Sequence, residues 1–154
     1  CIMTRKPRLL IDKELLDFSE TVALIFKAAK VYAKDAPQES DVSFHEFYDY
    51  VRQLPYHADP EEIETLTRPG YTLNPEWEGP RDCDDKCLCL GAYCERNNIK
   101  WRIVVSGRGD FAHHVYPEVK ENGRWVAADA TYPERSTFGK TLFKERFREV
   151  FDRK

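Results

Sequence analysis

Between residues 13 and 34, Leu15, Phe18, Val22, Ile25, Ala29 and Tyr32 recur at three- and four-residue steps, the stripe of an amphipathic helix that Asp35-Ala36-Pro37 ends. Ser43-Phe44-His45-Glu46 has the form of a capping box. Phe44, Phe47, Val51 and Leu54 then line one face of a second helix, stopped by Pro55. Asp59-Pro60-Glu61-Glu62 predicts a third, short helix, with aspartate as cap and proline at the first helical position, closing before Pro69-Gly70. Residues 71–81 hold Pro75, Gly79 and Pro80 and read as an irregular loop. From Asp82 to about Asn98, Leu, Ala and Cys gather on one side of a further helix. There the period changes. Residues 101–105 predict a strand, and residues 115–120 and 125–129 flank Asn122-Gly123, a strong two-residue hairpin signal. From about Thr141, the apolar Leu142, Phe143, Phe147, Val150 and Phe151 stand among charges and predict a last helix, about 141–152. Helices first and antiparallel strands later make an α+β fold, with N-terminal helices packed on a small antiparallel sheet.

At 154 residues the chain reads as one domain, 1–154, with its core at about 42–133. A net charge of −3 argues against sequence-independent nucleic-acid binding. No apolar run reaches membrane-spanning length, and no secretory leader can be read at the start, so a soluble, cytoplasmic protein is expected. Cysteine usage sharpens that picture. Of Cys1, Cys83, Cys87, Cys89 and Cys94, four crowd into one segment, where disulfides within a single helix are geometrically poor. Reduced thiols in a reducing compartment follow. Their spacing is not that of a zinc finger and no histidine follows at ligand distance, so neither a metal nor another cofactor is expected.

Cys83 stands apart because it falls in the first turn of a predicted helix, where unpaired N–H groups and the helix dipole favour a thiolate. Asp82 reads as the N-cap, and Asp84 and Asp85 complement the helix start while opposing ionisation of the thiol. A neighbouring imidazolium would be the main counter-charge. Taken alone, Cys83 reads as readily as one more packing sulfur, like Cys87, Cys89 and Cys94. The hairpin selects the histidine. Centring the turn on Asn122-Gly123 puts Tyr116 opposite Asp129 and His114 opposite Thr131, so His114 and Asp129 project to one face as diagonal neighbours, roughly 7–8 Å apart at Cα. His113 points the other way. Pro117 strains this register, since it lacks an N–H to donate, and a bulge there would reverse the parity. His45, His57 and His113 read as structural or surface residues.

Arg81-Asp82-Cys83-Asp84-Asp85-Lys86-Cys87, followed by a helix and then by F-A-H-H-V-Y-P-E-V-K-E-N-G-R-W-V-A-A-D-A-T-Y-P, resembles the transglutaminase-like superfamily of cysteine enzymes. Upstream, F-Y-D-Y-V-R-Q-L-P-Y-H-A-D-P-E-E-I-E-T-L-T-R-P-G-Y-T-L resembles the lead-in of short bacterial and phage-encoded members. The likeness covers about 42–133, with Arg81 where the first motif has glycine and Ala130 where the last has proline. It implies a papain-like arrangement in which Cys83 is the nucleophile, His114 the base and Asp129 the orienter of the imidazole. The Cys83 backbone N–H, at a helix start, is a sensible oxyanion donor, with the indole of Trp77 as a second candidate. The chemistry expected is acyl transfer on a protein or peptide substrate through a thioester, resolved by water in a peptidase or amidase. Transglutaminase crosslinking by an amine is the alternative within that chemistry. A non-catalytic structural or binding module, such as a phage particle component, is the alternative outside it. Neither nucleic acid nor membrane is an expected partner.

Overall fold

The computed structural model describes residues 5–10, 18–60 and 63–153. The chain runs from strand β1 (Arg5–Leu10) into helix α1 (Phe18–Val31), a 3-10 turn at Ala33–Asp35 and helix α2 (Phe44–Gln53). Strand β2 (Ile63–Thr67), the one-turn helix α3 (Pro69–Thr72) and helix α4 (Cys83–Arg96) follow. Then come β3 (Trp101–Gly107), β4 (His114–Glu121), β5 (Arg124–Ala127) and β6 (Phe147–Asp152). The last four strands form one antiparallel sheet in the order β5-β4-β3-β6, and β1 pairs with β2 separately. Among the described residues, no helix is long and apolar enough to cross a membrane.

Helix α4 is the axis of the molecule. Every residue from Asp84 to Cys94 is buried, because α1, α2 and α3 surround it and β4 closes the remaining side. Phe47 of α2 stacks on Tyr93 at 5.1 Å, and Phe26 of α1 meets Trp101 of β3 at 4.8 Å, which ties the N-terminal helices to the sheet. Gly91 allows the closest approach of helix to sheet, since a Cβ there would stand 2.4 Å from the Trp101 ring. The local signals of the central elements hold. Ser43 and Glu46 exchange both capping-box hydrogen bonds. Asp82 caps α4 by accepting from the N–H groups of Asp84 and Asp85, while Asp85 reaches back to the Asp82 N–H.

Three expectations change. Residues 63–67, placed in a short third helix, form β2 instead; Asp59 accepts from the N–H and hydroxyl of Thr65 rather than capping a helix start. Backbone pairing with β1, a strand not anticipated from its sequence, decides the matter. Residues 147–152, read as the last helix, form β6, an edge strand paired antiparallel with β3. Phe147 and Phe151 stand four apart, a spacing that puts both on one face in a strand as well as in a helix. Pro69-Gly70, read as a stop, instead opens α3, with Pro69 at the first helical position. Leu15 and the residues 61–62 lie outside the described residues.

The burial of α4 has a pH consequence. Burial, then the nearby Arg81, brings Lys86 down to about 7, while burial pushes the thiols of Cys87, Cys89 and Cys94 up. From pH 7 to about 8.5 the unfolded chain holds a proton on Lys86 that the folded chain lacks, so stability rises with pH, by at most about 1.4 kcal/mol per unit. Above about 8.5 the unfolded thiols ionise and the folded ones do not, and several groups of opposite sign outweigh one lysine. Urea midpoints measured from pH 6.5 to 10 should pass through a maximum in the low eights and fall steeply beyond pH 9 (roughly, on the reference values). A continued rise above that would show that the thiols are not held neutral.

Candidate active site

Backbone register brings the site together. Glu121 pairs with Arg124, Val119 with Val126 and Glu118 with Ala127, an unbroken register around the Asn122-Gly123 turn, whose residues have φ of 52° and 78°. Pro117 costs one hydrogen bond of the next pair and no more: the Ala128 N–H still donates to the Pro117 carbonyl at 2.9 Å, and no bulge forms. Parity is therefore kept. His114 Nε2 donates to Asp129 Oδ2 at 2.6 Å, with both side chains buried. The other oxygen of Asp129 accepts from the Thr131 N–H at 3.0 Å and the Thr131 hydroxyl at 2.6 Å. The Tyr48 hydroxyl donates to the Asp129 carbonyl at 2.6 Å, fixing the backbone beneath the carboxylate. With Nε2 held, Nδ1 is the ring nitrogen left for exchange with a third group.

Cys83 is the first residue of α4 and is half-buried, whereas Cys87, Cys89 and Cys94 are fully buried packing sulfurs. Its sulfur lies at the His114 end of β4. The main chain of Val115 favours its ionised form, and the Asp129 charge opposes that form. The net direction is upward: burial first, then Asp84 and Asp82, push the Cys83 thiol well above its ordinary range. The thiol lies 3.8 Å from Asp84 Oδ1, a carboxylate that favours S–H over S⁻. Nucleophilicity at this position therefore needs a base that removes the proton as the sulfur attacks, rather than a resting thiolate.

The surrounding aspartates crowd one another. Burial, then Asp85, Asp84 and Asp59, pushes Asp82 well above the carboxylate range, and a hydrogen bond to Asp59 favours its protonated form. Oxygens of Asp59, Asp82 and Asp84 lie within 4.8 Å of one another, a set that could hold a cation.

Aromatic rings border the site on two sides. Phe143, from the segment before β6, lies 5.9 Å from the His114 ring and stacks on His113 at 5.1 Å, with the Arg108 guanidinium 4.5 Å above it. On the other side Tyr56 meets Tyr132 at 4.9 Å. None of these bordering rings was a candidate site residue in the sequence, because only tertiary packing brings them together here. Trp77 does not supply the second oxyanion donor: its indole N–H donates to the Pro80 carbonyl at 3.0 Å, and its ring covers Gly79. His113 accepts from the Arg108 N–H, His57 donates to the Gly79 carbonyl and His45 pairs with Glu121, so each has a structural partner. No protein-family model matches the chain, and no curated protein or solved structure is significantly similar to it.

Proposed function

We propose that the protein is a cysteine-dependent acyl-transfer enzyme of the transglutaminase-like type, acting as a hydrolase on an amide or peptide carbonyl of a protein or peptide substrate. The observation that carries this reading is the buried His114–Asp129 pair, held at 2.6 Å and anchored on β4, the strand packed against the helix that Cys83 begins. In this mechanism His114 Nδ1 takes the thiol proton as Cys83 Sγ attacks the carbonyl carbon. Asp129 holds the Nε2–H and stabilises the imidazolium. His114 returns the proton to the leaving amine, and a thioester joins the acyl group to Cys83. Water, deprotonated by His114, then attacks the thioester, the C–S bond breaks, and the carboxylic acid leaves. An amine in place of water would give transglutamination. Free thiols at Cys83, Cys87, Cys89 and Cys94 suit a cytoplasmic setting, with a virion as the alternative.

A non-catalytic module is the second reading, and one observation favours it: burial and two aspartates suppress ionisation of the thiol. Exposure alone makes Cys83 the most accessible of these sulfurs, so selective alkylation does not separate the two readings. Dependence on His114 does. In the enzyme, the rate of Cys83 alkylation by iodoacetamide at pH 7 should fall at least about tenfold in His114→Ala, because the base that carries off the proton is gone. An unchanged rate, read by mass spectrometry of the labelled peptide, would favour the inert module. Screening amide, peptide and primary-amine substrates against wild type and Cys83→Ala then distinguishes hydrolysis from amine transfer.

A further inference from the structure

We propose that the Tyr56 hydroxyl is the second oxyanion donor of this site, working with the Cys83 backbone N–H on the substrate's carbonyl oxygen. This rests on the acyl-transfer reading and assigns a role that neither the sequence nor the triad geometry supplies.

Backbone geometry places Tyr56 first. Pro55 ends α2 and sends the chain out extended, and His57 and Arg81 then exchange both main-chain hydrogen bonds, at 2.9 and 2.7 Å. This antiparallel bridge sets Tyr56 opposite Asp82, the residue before Cys83. Its side chain and that of Asp82 fall on one face of the bridge, while Arg81 turns to the other and buries its guanidinium in the approach loop. The half-buried Tyr56 ring meets Tyr132, three residues beyond Asp129, at a centroid distance of 4.9 Å. Tyr56 thus spans from the start of α4 to the loop that follows the carboxylate.

Its electrostatic neighbours agree. After burial, the groups that push the Tyr56 phenol up are Cys83, Tyr132 and Asp82, the last through charge alone and Tyr132 through a hydrogen bond as well. The phenol therefore keeps its proton throughout the working range of a histidine base and remains a donor. Tyr132 can serve as the relay: when Tyr56 turns its O–H to the substrate, the Tyr132 hydroxyl can donate to the Tyr56 oxygen. Other polar hydrogens near the site are committed. Trp77 donates to Pro80, Tyr48 to the Asp129 carbonyl, and Lys86 to the carbonyls of Arg52 and Leu54. Asp82 holds the N–H groups of Asp84 and Asp85, which leaves the Cys83 N–H outside the cap.

The step it assists is the first one. The C–S bond forms, the thiol proton passes to His114, and the carbonyl π pair moves onto oxygen, where the Tyr56 O–H and Cys83 N–H meet it. Collapse of that intermediate restores the C=O bond and expels the leaving group.

The test is Tyr56→Phe, with p-nitrophenyl acetate hydrolysis and iodoacetamide alkylation of Cys83 measured side by side. Ester hydrolysis passes through an oxyanion and should fall in kcat by about 10²-fold, with KM little changed. Alkylation is a displacement at sp³ carbon, forms no oxyanion, and should stay within about twofold of wild type. Tyr132→Phe should show a smaller loss of the same kind. Wild-type ester hydrolysis by Tyr56→Phe overturns the proposal alone, as does an equal loss of alkylation, which would mark a structural role. Ester hydrolysis that survives Cys83→Ala in full overturns the acyl-transfer reading and this proposal with it.

Discussion

Asp129→Asn is expected to lower Cys83-dependent turnover by about 10³–10⁴-fold, as much as Asp129→Ala, although an amide is nearly the size of a carboxylate. Thr131 is the reason. Its N–H and hydroxyl both hydrogen-bond Asp129 Oδ1, and the N–H can only donate, so an asparagine must keep its oxygen there. The amide NH₂ then faces His114 Nε2, the atom that donates to Oδ2 at 2.6 Å in the wild type. Two donors cannot meet. The imidazole shifts its proton to Nδ1 and presents a donor, not a base, toward the sulfur. Folding should be little affected, so kcat for ester hydrolysis and the melting temperature should part company. Turnover within tenfold of wild type would mean that the amide had turned its oxygen to the imidazole despite Thr131.

Arg81→Ala should be the most destabilising single change near the site, by about 3–5 kcal/mol. Arg81 is fully buried, and its guanidinium donates to the carbonyls of Thr72, Pro55, Asn74 and Trp77. Together these bonds fold the loop between α3 and α4 onto one side chain. Removal leaves a cavity and several buried carbonyls without donors, a larger effect than the lost bonds themselves. For a chain of this length the loss corresponds to a melting temperature lower by roughly 10 °C or more. Arg81→Lys should recover only part of it, because one ammonium cannot reach carbonyls lying in several directions. A melting temperature within two degrees (about 1 kcal/mol or less) for Arg81→Ala would show that water replaces the guanidinium at little cost.

The same residue shows where resemblance informs and where it stops. Glycine stands at this place in the motif that the sequence resembles, yet the non-glycine positive-φ residues among those described are Asn98 and Asn122. Arg81 has no need of glycine's freedom; its side chain has taken up a structural task instead. Its burial could not be foreseen, because the carbonyls that hold it come from residues 55 to 77 and are brought together only by the fold. Trp77 teaches the converse. An indole near a cysteine in sequence suggested an oxyanion donor, but the turn that ends in Pro80 engages its N–H first.

Where bonds are local, the amino-acid order was sufficient. The caps at Ser43 and Asp82, the turn at Asn122-Gly123 and the alternation along β4 involve partners a few residues apart, and together they selected His114 over His113 and aligned it with Asp129. The tertiary structure decided what depends on distant partners. It made β2 and β6 strands rather than helices, because β1 and β3 offered edges to pair with. It set Phe143 against the His114 ring and Tyr56 opposite Asp82, the residue before Cys83, and it packed α4 so closely that burial pushes the Cys83 thiol up. A short apolar repeat satisfies either period until another segment's backbone or bulk removes one of the choices, and that segment can lie anywhere in the chain.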